Sequence, residues 1–173
     1  MSVATIVVVI IIMLCVVSSL ALRSGYIAWD RDKVGLPRFL SQTEVRLDEL
    51  PDLAEALSRG LAPERYAALV FATPDRPSDE DAINIQMSVE DGKLGFDWVL
   101  LAPRNVKDRE KFMAFAHAYG ARPVARTMNG VSYLRVEDTD VVVFTTNVAT
   151  EMYHLPPNAS VGLVHEGFEW KGS

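Results

Sequence analysis

The chain opens with an uncharged, mostly apolar run from Val3 to Leu22, and no Asp, Glu, Lys or Arg occurs before Arg23. At a rise of ~1.5 Å per residue, a helix of about 20 residues is ~30 Å long, which matches the hydrocarbon thickness of a bilayer. The run therefore predicts a transmembrane helix. We interpret residues 1–22 as an anchor that contacts the lipid bilayer through residues 3–22.

A cleaved secretory signal is the alternative interpretation of this run. Such signals carry basic residues before a shorter apolar core, whereas no Lys or Arg precedes the run here. Residues 19–21, Ser-Leu-Ala, are the only passable cleavage site. Arg23, Tyr26 and Trp29 follow the run, where interfacial aromatic rings and a snorkelling arginine are expected at the end of a span. We therefore favour the anchor and expect these three residues at the membrane interface.

Basic residues lie on one side of the run only. Those within the first 38 residues are Arg23, Arg31, Lys33 and Arg38, and all of them follow it. Short segments rich in Lys and Arg stay on the cytoplasmic side of a membrane. This asymmetry therefore predicts an inner (plasma) membrane protein whose following domain lies in the cytoplasm. The periplasmic side is the alternative.

Charge and cysteine content exclude several classes of function. The formal net charge is −6, and all 23 Asp and Glu residues lie after the apolar run. A negative domain repels the phosphate backbone, so nucleic acid is not an expected partner. The single cysteine, Cys15, lies within the apolar run, which leaves no disulfide and no cysteine-based metal site.

The remaining chain is long enough for one domain. Gly35-Leu36-Pro37 favours a juxtamembrane linker, which we assign to residues 23–47, followed by a soluble domain over residues 48–173. Apolar residues at helical spacing follow Asp48, a candidate N-cap, as far as Gly60. An apolar run over 66–73 then predicts a strand.

Two dipeptides predict β-hairpins. Asp91-Gly92 joins two alternating segments over 83–101, and Asn129-Gly130 joins 123–128 to 131–136. Pairing across the first turn aligns apolar residues on one face: Ile83 with Leu100, Ile85 with Trp98, Met87 with Phe96, and Val89 with Leu94. The other face of this hairpin carries polar residues: Asn84, Gln86, Ser88 and Asp97.

Two further helices are indicated, one capped by Asn105 and ending at Gly120, the other over 139–155 and capped by Asp138 or Thr139. Residues 161–170 can add a last edge strand or a tail on the core. The fold class is therefore α+β: one N-terminal transmembrane helix, then a single domain in which about three helices pack on an antiparallel sheet of two β-hairpins and a further strand.

The second hairpin has the more distinctive faces. Arg126, Tyr133 and Arg135 lie on one side, and mixed cationic and aromatic surfaces of this kind are enriched in protein interfaces. We expect these three residues to bind a protein partner. An ordinary solvated sheet face, with the tyrosine covering the arginine stems, is the alternative interpretation.

No catalytic, metal or cofactor constellation is recognised. His165-Glu166 lacks the second histidine of a zinc protease helix, and consecutive Asp79, Glu80 and Asp81 lack the spacing of a calcium loop. The chain is therefore not expected to be an enzyme. A polar site on the sheet around Asp97 is the enzymatic alternative.

The order of elements over residues 48–155 is helix, three strands, helix, two strands, helix. This order resembles the small α+β domain of type III secretion chaperones and of the related YbjN-like proteins. The resemblance implies a non-enzymatic domain that binds extended segments of other proteins and that can pair with a second copy of itself.

These inferences predict a single-pass membrane protein whose soluble domain recruits or restrains a protein partner at the membrane. The alternatives are an immunity-type inhibitor on the periplasmic side and an enzyme that uses the polar face around Asp97.

Overall fold

The computed structural model describes residues 43–60, 65–74 and 81–171. The predicted anchor over residues 1–22 and the interface residues Arg23, Tyr26 and Trp29 lie outside the described residues. Among the helices that are described, none is long and apolar enough to cross a bilayer.

Seven strands and four α-helices make up the described fold. The strands are β1 (Glu44–Arg46), β2 (Arg65–Phe71), β3 (Ile83–Glu90), β4 (Lys93–Val99), β5 (Val124–Met128), β6 (Val131–Val136) and β7 (Ser160–Glu166). The helices are α1 (Leu50–Arg59), α2 (Pro103–Lys107), α3 (Arg109–Ala118) and α4 (Val141–Asn147). A 3₁₀ turn, Leu47–Glu49, precedes α1, and a π turn, Val148–Met152, continues α4.

All seven strands form one antiparallel sheet in the order β1-β7-β2-β3-β4-β6-β5. The predicted α+β class and antiparallel sheet are confirmed, with more strands and one more helix than expected. The additional helix arises because the predicted helix after Asn105 is divided at Asp108 into α2 and α3.

Both predicted hairpins are present. Ile85 pairs with Trp98, Met87 with Phe96 and Val89 with Leu94, as the register across Asp91-Gly92 predicted. The pair of Ile83 with Leu100 does not form, because β4 ends at Val99. All four turn residues have positive φ, between 50° and 81°, which is the backbone that two-residue hairpin turns require.

The position of the last strand differs from the prediction. β7 is not an edge strand but lies between β1 and β2, with buried Val161 and Leu163 facing the core. The strand that does form this edge is β1, whose residues the sequence assigned to the linker. Val45 of β1 pairs with Val161 and is itself buried.

The core lies on one face of the sheet, beneath the helices. Trp98 stacks on Phe112 of α3 with ring centroids 4.7 Å apart, and Phe96 meets Phe144 of α4 edge-on at 5.0 Å. The buried aromatic rings of the hairpin and of two helices therefore form one continuous cluster. The polar residues of the strands therefore lie on the opposite face of the sheet.

Three predicted helix caps are wrong. Asp140, not Asp138 or Thr139, caps α4, and its carboxylate accepts hydrogen bonds from the Val142 and Val143 amides at 3.1 Å. Asp48 instead pairs with Arg46. The predicted cap Asn105 lies inside α2.

Asn105 has a different role from a cap. Its side-chain amide binds both backbone groups of Asn84, accepting from the N–H at 3.0 Å and donating to the carbonyl. Its own carbonyl accepts a hydrogen bond from the Trp98 indole. Asn105 therefore satisfies the β3 backbone beyond the point where the pairing with β4 ends.

Candidate functional site

The three predicted partner-binding residues lie on the face of the sheet opposite the core, on β5 and β6. Arg126 is opposite Tyr133 in the β5–β6 ladder, and Arg135 is the next residue of β6 on the same face. Their exposure differs greatly. Arg126 is exposed, whereas Tyr133 and Arg135 are 7% and 1% exposed. The expected exposure is therefore wrong for two of the three residues, and their part in partner binding stays a prediction.

Arg135 is buried because its side chain crosses the sheet from β6 toward β3. Its Nη1 lies 2.7 Å from Oδ1 of Asp97 and 2.7 Å from the Ser88 hydroxyl. Its Nη2 donates to the Lys93 carbonyl at 3.0 Å, and its Nε donates to Glu137. The guanidinium thus contacts groups from two other strands, β3 and β4, and from Glu137, the residue that follows β6.

Gly95 provides the space that this crossing needs. Gly95 lies in β4 between Ser88 of β3 and the β6 strand that carries Arg135. A Cβ added at Gly95 would lie 2.5 Å from both Cζ and Nη2 of Arg135. The absence of a side chain at this one position therefore lets the guanidinium lie flat on the sheet.

Three carboxylates surround this one guanidinium. Asp97 and Glu137 bind it directly, and Oε1 of Glu90 lies 3.3 Å from Nη1. The same Glu90 oxygen accepts a hydrogen bond from the Tyr133 hydroxyl at 2.8 Å. We call these five residues the Arg135 network: Arg135, Asp97, Glu90, Glu137 and Tyr133.

The electrostatics of the network follow from burial and proximity. Burial raises the pKa of Asp97, although Arg135 and the Ser88 hydroxyl act in the opposite direction. Burial acts to lower the pKa of Arg135, but its neighbouring carboxylates raise it overall. The hydrogen bond from Arg135 lowers the pKa of Glu137. Arg135 therefore stays charged and holds the carboxylates around it.

Part of the polar face that the hairpin register predicted lies around Asp97. Gln86 and Ser88 both lie beside the Asp97 carboxylate. Because that carboxylate is buried and contacts Arg135 and Ser88, a substrate would reach it only if the Arg135 network opened. Over the described ranges, no group of three His, Cys, Asp or Glu residues is arranged to hold a metal ion.

The exposed part of this face is β5. All five of its residues are exposed, and a shallow hollow of about 250 Å³ lies beside it. The hollow is lined by side chains from β5, from β6 and from the segments next to them: Arg122, Val124, Arg126, Arg135, Glu137 and Asp138. This is the part of the predicted binding surface that another molecule can contact.

No local pattern in the sequence indicates that Glu90 and Glu137 belong to the Arg135 network. Glu90 is 43 residues from Tyr133 in the chain, and the β4–β6 pairing brings the two hairpins that carry them together. A signal was available for Ser88, because the hairpin register places it opposite Gly95, the one residue of β4 without a side chain.

No protein-family model matches the chain, and neither a curated protein nor a solved structure shows significant similarity to it.

Proposed function

We propose that this chain is a membrane-anchored, non-enzymatic module that captures an extended segment of a protein partner by strand addition along β5. The observation that carries the proposal is the open edge that β5 presents. The anchoring part rests on the apolar run from Val3 to Leu22, and the binding part rests on the contacts described below.

The backbone of β5 is available for pairing. β5 pairs with β6 and with no other described strand. The Ser132 carbonyl accepts a hydrogen bond from the Leu100 amide at 2.9 Å, so the backbone groups of Ser132 point toward β4. In an antiparallel ladder its partner Thr127 then directs its N–H and C=O away from β6. Unpaired groups of this kind are a template for another strand.

The two edges of the sheet are not equivalent. β1, at the opposite edge, has three residues, whereas β5 has five. A short edge strand offers few hydrogen bonds to a partner. The contrast favours β5 as the edge used for binding.

The side chains of β5 indicate the partner's chemistry. On the face opposite the core, exposed Arg126 lies between Val124 and Met128, which are 53% and 43% exposed. A partner strand with an acidic residue between two apolar residues would match this pattern. Pairing of two β5 strands about a two-fold axis through Arg126 would place like charges opposite each other, which disfavours a second copy in that register.

Replacing Thr127 by proline tests strand addition, because proline removes the outward N–H. The bait is the full chain solubilised from membranes in detergent, and captured proteins are quantified by mass spectrometry. We expect proteins captured by the unmodified chain to fall at least ~10-fold with Thr127→Pro, a change of about 1.4 kcal/mol in binding.

Thr127→Ala is the matched control, since it keeps the N–H, and it should capture as the unmodified chain does. Equal capture by the proline and alanine variants would reject strand addition. Should Thr127→Pro lower the melting temperature, Arg126→Glu provides a second test. Arg126→Glu leaves the backbone intact and should no longer bind a partner with an acidic strand. Arg126→Lys keeps the positive charge and should still bind that partner.

We also propose that the domain faces the cytoplasm, on the basis of the basic residues that follow the apolar run. A phosphatase reporter fused after Ser173, which is active only in the periplasm, should be inactive. An active fusion would instead place the domain in the periplasm and favour the alternative of an immunity-type inhibitor.

A further inference from the structure

A second cavity, of about 280 Å³, lies away from the Arg135 network, and the proposed function does not use it. It is formed where α2, α3 and the end of the π turn approach Pro74. Its lining includes three basic side chains from three separate segments: Arg104, Lys111 and His154.

Two of these basic side chains are held in place by the ring and backbone around them. The Lys111 ammonium lies 4.5 Å from the centre of the Tyr153 ring and donates to the Met152 carbonyl at 2.8 Å. The Arg104 guanidinium carbon lies 5.9 Å from the centre of the same ring, and its Nε donates to Asp108 at 2.6 Å. The same Asp108 oxygen accepts from the Tyr153 hydroxyl at 2.9 Å. The two cations are therefore fixed around one ring before any ligand arrives, and Lys111 has three donors, of which this contact uses one.

His154 has a backbone conformation that favours glycine, with φ +60°. It follows the π turn, and the Leu155 amide closes the end of that turn by donating to the Ala149 carbonyl at 3.1 Å. Glycine is the usual residue in this conformation at a helix end. A non-glycine residue there is strained, and both such residues and π turns cluster at functional sites.

We infer that this cavity binds a phosphate group through Lys111, Arg104 and His154. Cations that approach from several directions suit a tetrahedral anion with oxygens on every side. The cavity has room for a phosphate with a substituent attached. Leu101, just before α2, and Val106, within α2, are exposed apolar residues that can contact lipid. The phosphate can therefore belong either to a soluble compound or to a lipid headgroup.

The test uses the full chain in dodecylmaltoside micelles, which contain no phosphate, titrated with inorganic phosphate at constant ionic strength. The NMR signals of the amides at 153–155 should shift saturably. Lys111→Met should weaken binding at least ~10-fold. Lys107→Met is the matched control, since Lys107 is an exposed lysine of α2 outside the cavity lining, and it should leave the affinity unchanged.

His154→Gly separates binding from folding. Because glycine relieves the backbone strain, the variant should melt at a higher temperature while it binds phosphate more weakly. An unchanged affinity for phosphate in this variant would remove His154 from the site.

The source of the phosphate is decided by the lipid. If phosphatidylglycerol added to these micelles shifts the same amides without added phosphate, the ligand is a headgroup; if only dissolved phosphate does so, it is a soluble compound. The inference is overturned if neither shifts these amides, or if Lys107→Met weakens binding as much as Lys111→Met.

Discussion

Replacing Arg135 by methionine is expected to lower the free energy of unfolding by about 3–5 kcal/mol, since removing one partner leaves the other charge buried without compensation. Asp97 would keep Ser88 as a partner but would lose the guanidinium that lies 2.7 Å away. Glu90 and Glu137 would then repel Asp97 without the intervening positive charge. Urea denaturation of the detergent-solubilised chain, followed by tryptophan fluorescence, measures the loss.

Two variants serve as controls for this effect. Arg126→Met makes the same substitution at an exposed residue of the adjacent strand and should change stability by at most about 0.5 kcal/mol. Adding Asp97→Asn to Arg135→Met should recover part of the loss, because the buried negative charge is removed as well. A loss below about 1 kcal/mol for Arg135→Met would contradict the description of the network as a structural unit.

Replacing Gly95 by alanine is expected to lower the free energy of unfolding by about 1–3 kcal/mol, the usual range for overpacking a buried site. The added Cβ would lie 2.5 Å from the Arg135 guanidinium, which is buried and cannot move into solvent without losing its contacts with Asp97 and Ser88. Thermal or urea unfolding of the variant measures the effect.

The decisive measurement is a double-mutant cycle. In a chain that already carries Arg135→Ala, the space above Gly95 is empty, so Gly95→Ala should be neutral or stabilising by about 0.5–1 kcal/mol, as for alanine over glycine inside a regular element. The two substitutions should therefore be strongly non-additive. Additive effects would show that Gly95 is required for a reason other than the position of Arg135.

Local signals predicted much of the fold. The two turn dipeptides set both hairpins, and alternation of apolar residues from Ile85 to Val89 assigned the core face correctly. These features depend on residues close together in the chain, where turn geometry and side-chain period determine the register.

Features that depend on pairing between strands far apart in the sequence were not predictable from local patterns. From its place near the end of the sequence, β7 is expected at an edge of the sheet. Nothing in residues 161–170 indicates that β1 lies on one side of it and β2 on the other. Likewise, Arg135 and Tyr133 read as surface residues, because Asp97 and Glu90, which they contact, lie on the other hairpin. Of the three residues predicted to bind a partner, only Arg126 has the expected exposure.

The interior position of β7 has a consequence for how the domain is made. β2 and β3 can pair as soon as they are synthesised, but the other side of β2 stays open until Ser160–Glu166 follows, some 90 residues after Phe71. At about 5–20 residues per second, the nascent chain exposes this unpaired strand for roughly 5–20 s. A chain that stops before Ser160 never closes the sheet, and it displays the inner edge of β2 in addition to β5. Synthesis of β7 therefore covers the open side of β2 and removes one unpaired strand through which the newly made domain could aggregate.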